Sequence, residues 1–286
     1  MTTFLSNIPT VLILTPIVLI LVRQLKLPSF PYFFCIITMA NISGAMTPIS
    51  DPTTLYQAQT VGLGFLEVVQ NSGMLVMILT VVVMLYCFFV FRKELMAVPS
   101  DKKFIYTINP SNALADRKLM YIGLPLLGCI ITMMVLKDRI IASTGLHFDN
   151  ATLALTGALI MMIVSKTEPK EVFTKIIDWE VLFFFMGLFI VVGALEHTEV
   201  IKALAIKLVE LAHGSTNVLL FLMTMGSGIL STFIDNVPYN ITMVGAVQEM
   251  AKSGVYVYPL WWALNLGTSL GGAGSPIGAA CNVVCL

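Results

Sequence analysis

A seven-residue pattern near the beginning of the chain returns near its end. Residues 3–9 read TFLSNIP and residues 232–238 read TFIDNVP, with Asn and Pro at the same positions. A second pattern follows each copy after almost the same number of residues, GAMTPIS at 44–50 and GAGSPIG at 272–278. Both patterns insert Gly, Pro and polar residues into apolar stretches. Such paired interruptions indicate two copies of one unit, and they are typical of the binding site of a secondary transporter.

The composition places the chain in a membrane. Hydrophobic residues make up 57% of it and charged residues 11%, and the mean hydropathy is +0.91. A soluble globule of this length needs more polar side chains at its surface. The net charge is zero, so no basic patch indicates a nucleic-acid partner, and the five cysteines lack the spacing of metal ligands. We therefore expect the partners to be the lipid bilayer and a small ion or anion.

Continuous apolar runs long enough to cross a bilayer alternate with interrupted ones. The continuous runs are residues 74–91, 119–136, 151–164 and 179–195. The interrupted runs, which carry the repeated patterns, are residues 8–22, 28–60, 217–233, 237–250 and 258–286. Backbone can leave helical geometry at membrane depth only where it is buried in protein or lines a watery cavity. The interrupted runs are therefore where we expect the functional residues.

The distribution of basic residues predicts the orientation. The polar connection 92–118 contains six Lys and Arg residues, and short loops rich in Lys and Arg remain cytoplasmic. The segment 167–175 is then also cytoplasmic. Counting along the chain from the first copy gives five crossings before the second copy begins. Because five is odd, the second repeat is predicted to be inverted relative to the first, as is common in alternating-access transporters.

Each repeat is predicted to contain a re-entrant hairpin tip and a broken helix. The turn between the runs 217–233 and 237–250 contains Asp235 and no other charge, which does not suit a water-exposed loop. At residues 271–276 the sequence GGAGSP breaks a helix. The free N–H groups of the half-helix that follows attract anions, whereas the freed carbonyl groups suit cations. Two tips and two breaks could therefore converge on one site.

Several stretches carry a resemblance to a known family. They are DWEVLFFFMGLFI at 178–190, DNVP at 235–238, and LWWAL at 260–264 leading into GGAGSPIGAACNVV at 271–284. Together they resemble the ion transporter superfamily, whose members include arsenite permeases, the melanosomal P-protein, D-type sodium/proton antiporters, and citrate and dicarboxylate transporters. SNIPT at 6–10 and TPISDP at 47–52 resemble the hairpin tip and unwound loop of the family's first half. The resemblance covers essentially the whole chain and does not name the substrate.

Two features depart from the family pattern. Family members usually have several spans before the first hairpin and a further one after the second broken helix, so we expect this chain to be truncated at both ends. In the arsenite permease and P-protein branches the first loop commonly reads Gly-Asp-Pro-Pro-Asn, whereas here it reads Ser50-Asp51-Pro52-Thr53-Thr54. The missing Asn amide changes the expected coordination, and the two threonines could supply oxygens instead.

Nine residues are candidates for binding the substrate or a coupling ion. Asp51 and Asp235 are the only acids within the repeated patterns, and the charge of an acid is costly inside a membrane. The alternative for both is that each caps a helix. Asn7 and Asn236 occupy equivalent positions in the two tips, where they would contact the ligand or close the hairpin. Thr53 and Gly272 are also candidates, and the remaining ones, for which local bonds to freed backbone are the alternative, are Thr47, Ser275 and Asn282.

The predicted fold is an all-α integral membrane protein, an inverted-repeat transporter with re-entrant hairpins and broken helices. The predicted organisation is a first repeat at 1–91, a cytoplasmic loop at 92–118 and a second repeat at 119–286. The predicted function is secondary active transport of a small ion or anion, of the arsenite permease or sodium/proton antiporter type. The alternatives are a sodium-coupled citrate or dicarboxylate transporter and an ion channel on the same fold.

The remaining expectations concern partners and chemistry. No cofactor is expected other than a coupling Na⁺ or H⁺, with Na⁺ placed at Asn7, Asp235 and Asn236. We expect a bacterial or archaeal plasma membrane, and a homodimer is common in the superfamily. The motif GTSLG at 267–271 matches a hydrolase nucleophile elbow, but that motif has meaning only at a strand-to-helix turn. No such strand is predicted, so we do not expect an enzyme.

Overall fold

The computed structural model describes residues 2–3, 5–96, 117–145 and 148–283, and within these ranges it contains helices and turns without a β-strand. Among the same residues, five helices are long and apolar enough to cross a bilayer. The prediction of an all-α membrane protein is confirmed. Most of the loop predicted to be cytoplasmic, residues 97–116, lies outside the described residues.

The first repeat begins with a helix that starts at the predicted tip. Its helices are α1 (Asn7–Gln24), α2 (Phe30–Gly44), α3 (Pro52–Val61) and α4 (Phe65–Val90). α2 and α3 are the two halves of one broken helix. The second half starts at Pro52, where proline is well suited because the first turn of a helix needs no hydrogen bond from its N–H.

Three apolar helices connect the two repeats. They are α5 (Arg117–Thr144), α6 (Asn150–Ser165) and α7 (Trp179–His197). α5 and α6 pack together, and Gly157 permits the close approach because a Cβ there would lie 2.0 Å from Cδ1 of Ile130. Of the segments predicted to make the five crossings, α4, α5 and α7 are long and apolar enough to span a bilayer, whereas α6 and the first half of the broken helix are shorter apolar helices. The inverted orientation itself stays a prediction.

The second repeat repeats the plan of the first. Its helices are α8 (Val200–Leu211), α9 (Thr216–Phe233, with a π-helical turn at Leu222–Gly226), α10 (Asn236–Lys252), α11 (Tyr258–Gly272) and α12 (Ala280–Val283). α11 and α12 are the two halves of the second broken helix. The largest buried cluster lies among α8, α10 and α11 and includes Val244, Val247, Leu260 and Leu264.

The chain divides into two compact units. One unit comprises the described residues of Met1–Leu63, Glu67–Phe104 and Leu188–Leu286, and it contains both tips and both breaks. The other comprises the described residues of Gly64–Leu66 and Ile105–Gly187 and is built around α5 and α6. Every predicted site residue therefore belongs to the first unit.

Within the first unit, the helices of the two repeats pack on one another reciprocally. The half-helix after the first break, α3, packs on α10, and the half-helix after the second break, α12, packs on α1. The half-helices that precede the breaks, α2 and α11, pack on each other. Each contact from the first repeat to the second is therefore matched by an equivalent contact from the second repeat to the first. Such reciprocity is what a two-fold relation between two copies requires.

The second hairpin tip is buried at Asn236 and Val237, whereas Phe233 and Ile234 before it are exposed. With 18 residues, α9 is long enough to cross a bilayer, so its length alone does not fix the depth of its end. Only Ile234 and Asp235 separate α9 from α10, and Asn236 is 2% exposed against the second break. A two-residue turn whose following residue is buried at a helix break agrees with the predicted re-entrant hairpin.

Candidate functional site

Each repeat brings the tip of one helix against the break of another. The first junction is formed by Ser6 and Asn7 with residues 45–51, and the second junction is formed by Asp235 and Asn236 with residues 273–279. The backbone N–H of Asn7 donates to the carbonyl oxygen of Ser50 at 3.0 Å. The backbone N–H of Asn236 donates to the carbonyl oxygen of Gly278 at 2.9 Å. Because Ser50 and Gly278 are equivalent, both junctions are closed by the same backbone bond.

A hydroxyl group makes a second matched contact at each junction. Oγ1 of Thr47 donates to the carbonyl oxygen of Thr3 at 2.5 Å. Oγ of Ser275 donates to the carbonyl oxygen of Thr232, which is the residue equivalent to Thr3. Both hydroxyls hold the break against the chain that leads into the tip. The local bonds considered as the alternative reading of these residues are therefore present.

At the first junction the acidic side chain belongs to the break. Asp51 is 1% exposed, and its Oδ1 caps α3 by accepting from the backbone N–H of Thr53 at 3.0 Å and from its hydroxyl at 2.8 Å. Its Oδ2 accepts from the amide Nδ2 of Asn7 at 2.9 Å. A buried carboxylate needs such partners because desolvation is costly. Asp51 thus caps its helix and holds the tip at the same time.

At the second junction the acidic side chain belongs to the tip. Asp235 is half-buried and caps α10 by accepting from the backbone N–H of Val237 at 2.9 Å. The backbone of Ala280, at the start of α12, interacts electrostatically with the same carboxylate. Its equivalent in the first tip is Ser6. Both junctions are thus joined by a carboxylate, which comes from the break in one repeat and from the tip in the other.

The two junctions lie next to each other. Nδ2 of Asn41, on α2, donates to Oδ1 of Asn282, on α12, at 2.8 Å. Gly272, at the end of α11, stands between polar groups of both repeats: a Cβ there would lie 3.1 Å from Nδ2 of Asn236 and 3.1 Å from Oδ1 of Asn41. Asp51 and Asp235 are close enough to interact electrostatically.

All nine predicted residues therefore lie in one cluster. The first junction contains Asn7, Thr47, Asp51 and Thr53, and the second contains Asp235, Asn236, Gly272, Ser275 and Asn282. Both acids are helix caps, as the alternative reading held, and Asn7 closes its junction through Asp51. Asn236 differs, because its side chain makes no hydrogen bond to another described residue. Ligand binding by these nine residues stays a prediction.

Sequence reasoning missed several buried amides beside the junctions. Asn41, Asn240 and Asn265 are each at most 1% exposed, and Oδ1 of Asn240 has no hydrogen-bond partner among the described residues. All three lie in apolar stretches one or two turns from a tip or a break. A lone amide inside a membrane helix is the signal that could have found them, because a polar group there must have a partner.

The site is rich in oxygen acceptors and contains two acids. Lys and Arg are absent from the sequences of both tips and both breaks. Among the described residues no group of three or more His, Cys, Asp or Glu side chains could hold a metal ion. Carboxylates, amide oxygens and carbonyl groups released by a break suit Na⁺ or a proton as a transported ion.

An all-α membrane protein in which two hairpin tips meet two broken helices has an arrangement that is typical of secondary transporters. Comparison with known families agrees. The profile of the CitMHS family, described as citrate transporter, matches residues 1–267 and again 198–285. The chain belongs to the citrate transporter family, and its resemblance to the ion transporter superfamily is confirmed.

Similar proteins are membrane proteins and transporters. A 46 kDa membrane protein of Mycobacterium leprae is 33% identical over 286 residues, and an uncharacterized transporter of Mycobacterium tuberculosis is 30% identical over 285 residues. Each alignment covers 99% of this chain and 65% of the relative. The P protein of Mus musculus is 30% identical over 63% of this chain and 22% of its own length. The chain is a multi-pass plasma-membrane protein that spans 65% of the length of these mycobacterial relatives.

Proposed function

We propose that the protein carries out cation-coupled secondary transport of a small carboxylate anion of the citrate and dicarboxylate class. The observation that carries this proposal is the presence of two acids and the absence of Lys and Arg in the two tips and two breaks. A multivalent anion entering such a site would add negative charge to a poorly hydrated space, at high electrostatic cost. It binds there more tightly if cations enter with it. Coupling follows from this dependence.

Helix ends supply the attraction for the anion. α1, α3 and α10 all begin at the junctions, at Asn7, Pro52 and Asn236. Each helix N-terminus carries roughly half a positive charge and presents N–H groups. Asp51 and Asp235 cap two of these ends and oppose that charge. A Na⁺ ion or a proton on each acid would restore the positive field and permit a carboxylate to bind.

The second candidate function is exchange of Na⁺ for H⁺ without an organic substrate. It is favoured by the same two acids, since a pair of carboxylates that either ion can neutralise is sufficient for antiport. The family membership favours the carboxylate reading. The two functions differ in whether cation movement requires an anion.

Reconstitution tests the proposal. Full-length protein in proteoliposomes should accumulate labelled citrate or succinate when an inward Na⁺ or H⁺ gradient is imposed, and an ionophore that removes the gradient should abolish accumulation. The control is the same protein without a gradient, where uptake should stop at equilibrium. Rapid gradient-independent flux would instead identify a channel. Exchange of Na⁺ for H⁺ that is indifferent to citrate and succinate would establish the second candidate.

A further inference from the structure

The third residue of each half-helix after a break is polar and holds its own break. These residues are Thr54 on α3 and Asn282 on α12, which are equivalent in the two repeats. Oγ1 of Thr54 lies 3.4 Å from the carbonyl oxygen of Gly44, and Nδ2 of Asn282 donates to the carbonyl oxygen of Gly272 at 2.6 Å. Gly44 and Gly272 are themselves equivalent, as the last residues before the breaks. Each side chain therefore spans its own break.

The same two side chains are also bound by the opposite repeat. Asn282, in the second repeat, accepts from Nδ2 of Asn41, in the first, at 2.8 Å. Thr54, in the first repeat, donates to Oδ1 of Asn265, in the second, at 2.9 Å. We call these two contacts the amide bridges. They are reciprocal, because in each an asparagine on the half-helix before one break holds the half-helix after the other.

The asparagines of the amide bridges are buried, and each makes further hydrogen bonds. Nδ2 of Asn265 also donates to the carbonyl oxygen of Ala45, within the first break, at 3.1 Å and to Oγ of Ser72, on α4, at 3.2 Å. Nδ2 of Asn41 also donates to the carbonyl oxygen of Ile37. Neither asparagine is more than 1% exposed. A buried amide with several partners can occupy few other positions without losing bonds.

Sequence equivalence did not require this arrangement. Asn41 corresponds to Ser269 in the second repeat, and Asn265 corresponds to Ile37 in the first, so the two bridges start one helical turn apart along their helices. The two repeats therefore make the same kind of contact from different positions. Contacts that recur at non-equivalent positions are not simply inherited from the duplicated sequence, and this points to a requirement that both repeats share.

We propose that Asn41 and Asn265 are positioning residues that couple the two junctions, so that filling one junction fixes the geometry of the other. This inference rests on the proposed cation-coupled transport and names the residues that link cation binding to anion binding. A cation that orders the first break also orders Thr54, and through Asn265 the end of α11. Asn41 acts in the same way on Asn282 and the second break. Binding at either site thereby lowers the ordering cost at the other.

The test measures coupling rather than activity alone. In full-length purified protein, the dissociation constant of citrate is determined with and without saturating Na⁺, and across pH, by calorimetry. The wild-type protein should bind citrate about tenfold more tightly with the coupling cation present, within the range usual for linked sites. In Asn41→Leu and Asn265→Leu this ratio should fall close to one, while citrate binding without the cation persists.

One matched pair and one control variant separate coupling from folding. Thr54→Val removes the hydroxyl of one bridge and should reduce the ratio, whereas Thr54→Ser retains the hydroxyl and should restore it. Ser72→Ala removes a partner of Asn265 that lies outside the junctions and should leave the ratio unchanged. These variants provide the answer if either leucine variant fails to fold.

The outcomes for the inference and for the proposed function are distinct. A wild-type ratio of one for both Na⁺ and H⁺ would reject cation-coupled transport itself. A wild-type ratio that stays unchanged in Asn41→Leu, Asn265→Leu and Thr54→Val would retain the function and overturn the amide bridges. An equal loss in Ser72→Ala would also overturn them, because it would show a general effect of weakened packing.

Discussion

The two junctions are closed by the same backbone hydrogen bond and the same hydroxyl contact. They differ in the origin of the acidic side chain, which lies on the break in one junction and on the tip in the other. In the first junction Asp51 lies on the break and is 1% exposed, and both of its oxygens accept hydrogen bonds. In the second junction Asp235 lies on the tip and is half-buried. The repeats have thus retained the contact between tip and break while exchanging the residue that supplies its charge.

The tip asparagines also differ, because within the described part of the chain the side chain is hydrogen-bonded in the first junction and not in the second. The amide of Asn7 is engaged by Asp51, whereas that of Asn236 lies beside Gly272 and makes no hydrogen bond to another described residue. The first junction is therefore a closed polar network, and the second retains an amide and a partly accessible acid that a ligand can use. The comparison suggests that the first junction mainly fixes the architecture and the second mainly meets the ligand.

The largest expected effect comes from removing the two tip asparagines. Asn7→Ala and Asn236→Ala should each abolish uptake in the full-length protein, but for different reasons. Asn7→Ala leaves the buried Asp51 carboxylate without one partner, at a cost of about 1–3 kcal/mol, so its thermal unfolding midpoint should fall. Asn236→Ala breaks no such bond, so its midpoint should stay close to that of the wild type. Uptake in proteoliposomes and unfolding in detergent measure the two effects.

A double variant decides whether the tips matter at all. If protein carrying both alanines transports at the normal rate, the binding site lies elsewhere. If both single variants lose the same stability, the contrast between a closed and an open junction is wrong.

The second expected effect concerns the coupling ion. Asp235→Asn keeps the hydrogen-bonding shape of the tip and removes the charge, so the dependence of transport on Na⁺ or pH should weaken or vanish while expression stays near normal. Asp51→Asn should instead reduce the yield of folded protein, because an amide cannot accept from Asn7 and from Thr53 as a carboxylate does. Initial rates across pH and Na⁺ concentration, compared with yields, separate the two acids. Unchanged ion dependence in Asp235→Asn would reduce this residue to a helix cap.

The tips and breaks could be predicted from the sequence because their patterns occur twice in the chain. Asn7 with Asn236, and Thr47 with Ser275, stand at equivalent positions, and the structure gives each pair equivalent backbone contacts. A repeated interruption in an apolar run identifies a place where helix geometry fails. It does not identify the partner that satisfies the freed groups.

Contacts between distant segments account for what the sequence could not predict. α4 begins at Phe65, nine residues before the predicted start at 74, because its polar first turns are satisfied by Tyr258, whose hydroxyl donates to Glu67 at 3.0 Å. Trp261 and Trp262, which sequence alone would place in an interfacial aromatic belt, are instead 4% and 8% exposed and pack in the buried clusters. Asn265 finds its partners in three other segments, none of them near it in sequence.

A smaller effect is expected from adding one methyl group at the last residue before each break. In Gly272→Ala the new Cβ would lie 3.1 Å from two amide groups, whereas in Gly44→Ala it would lie 3.0 Å from Oδ2 of Asp51. Both variants should fold and raise the KM for the transported anion by a few-fold, since the neighbouring side chains must shift by tenths of an ångström. Gly44→Ala should also lower stability, because the carboxylate it displaces is already bonded. Equal stability in the two variants would contradict the comparison.

The smallest effect should come from removing the matched hydroxyls. Its size in each junction shows which of the two is more shielded from water. Thr47→Val and Ser275→Ala each remove one hydrogen bond to a backbone carbonyl, which contributes about 1 kcal/mol. Thr47 is 2% exposed, so its loss leaves the carbonyl of Thr3 without a partner in a dry environment. Ser275 is half-buried, and water can replace it on the carbonyl of Thr232. Transport should therefore fall several-fold in Thr47→Val and by less than twofold in Ser275→Ala, as measured by initial rates at equal protein content. The reverse order would place the closed, dry junction in the second repeat.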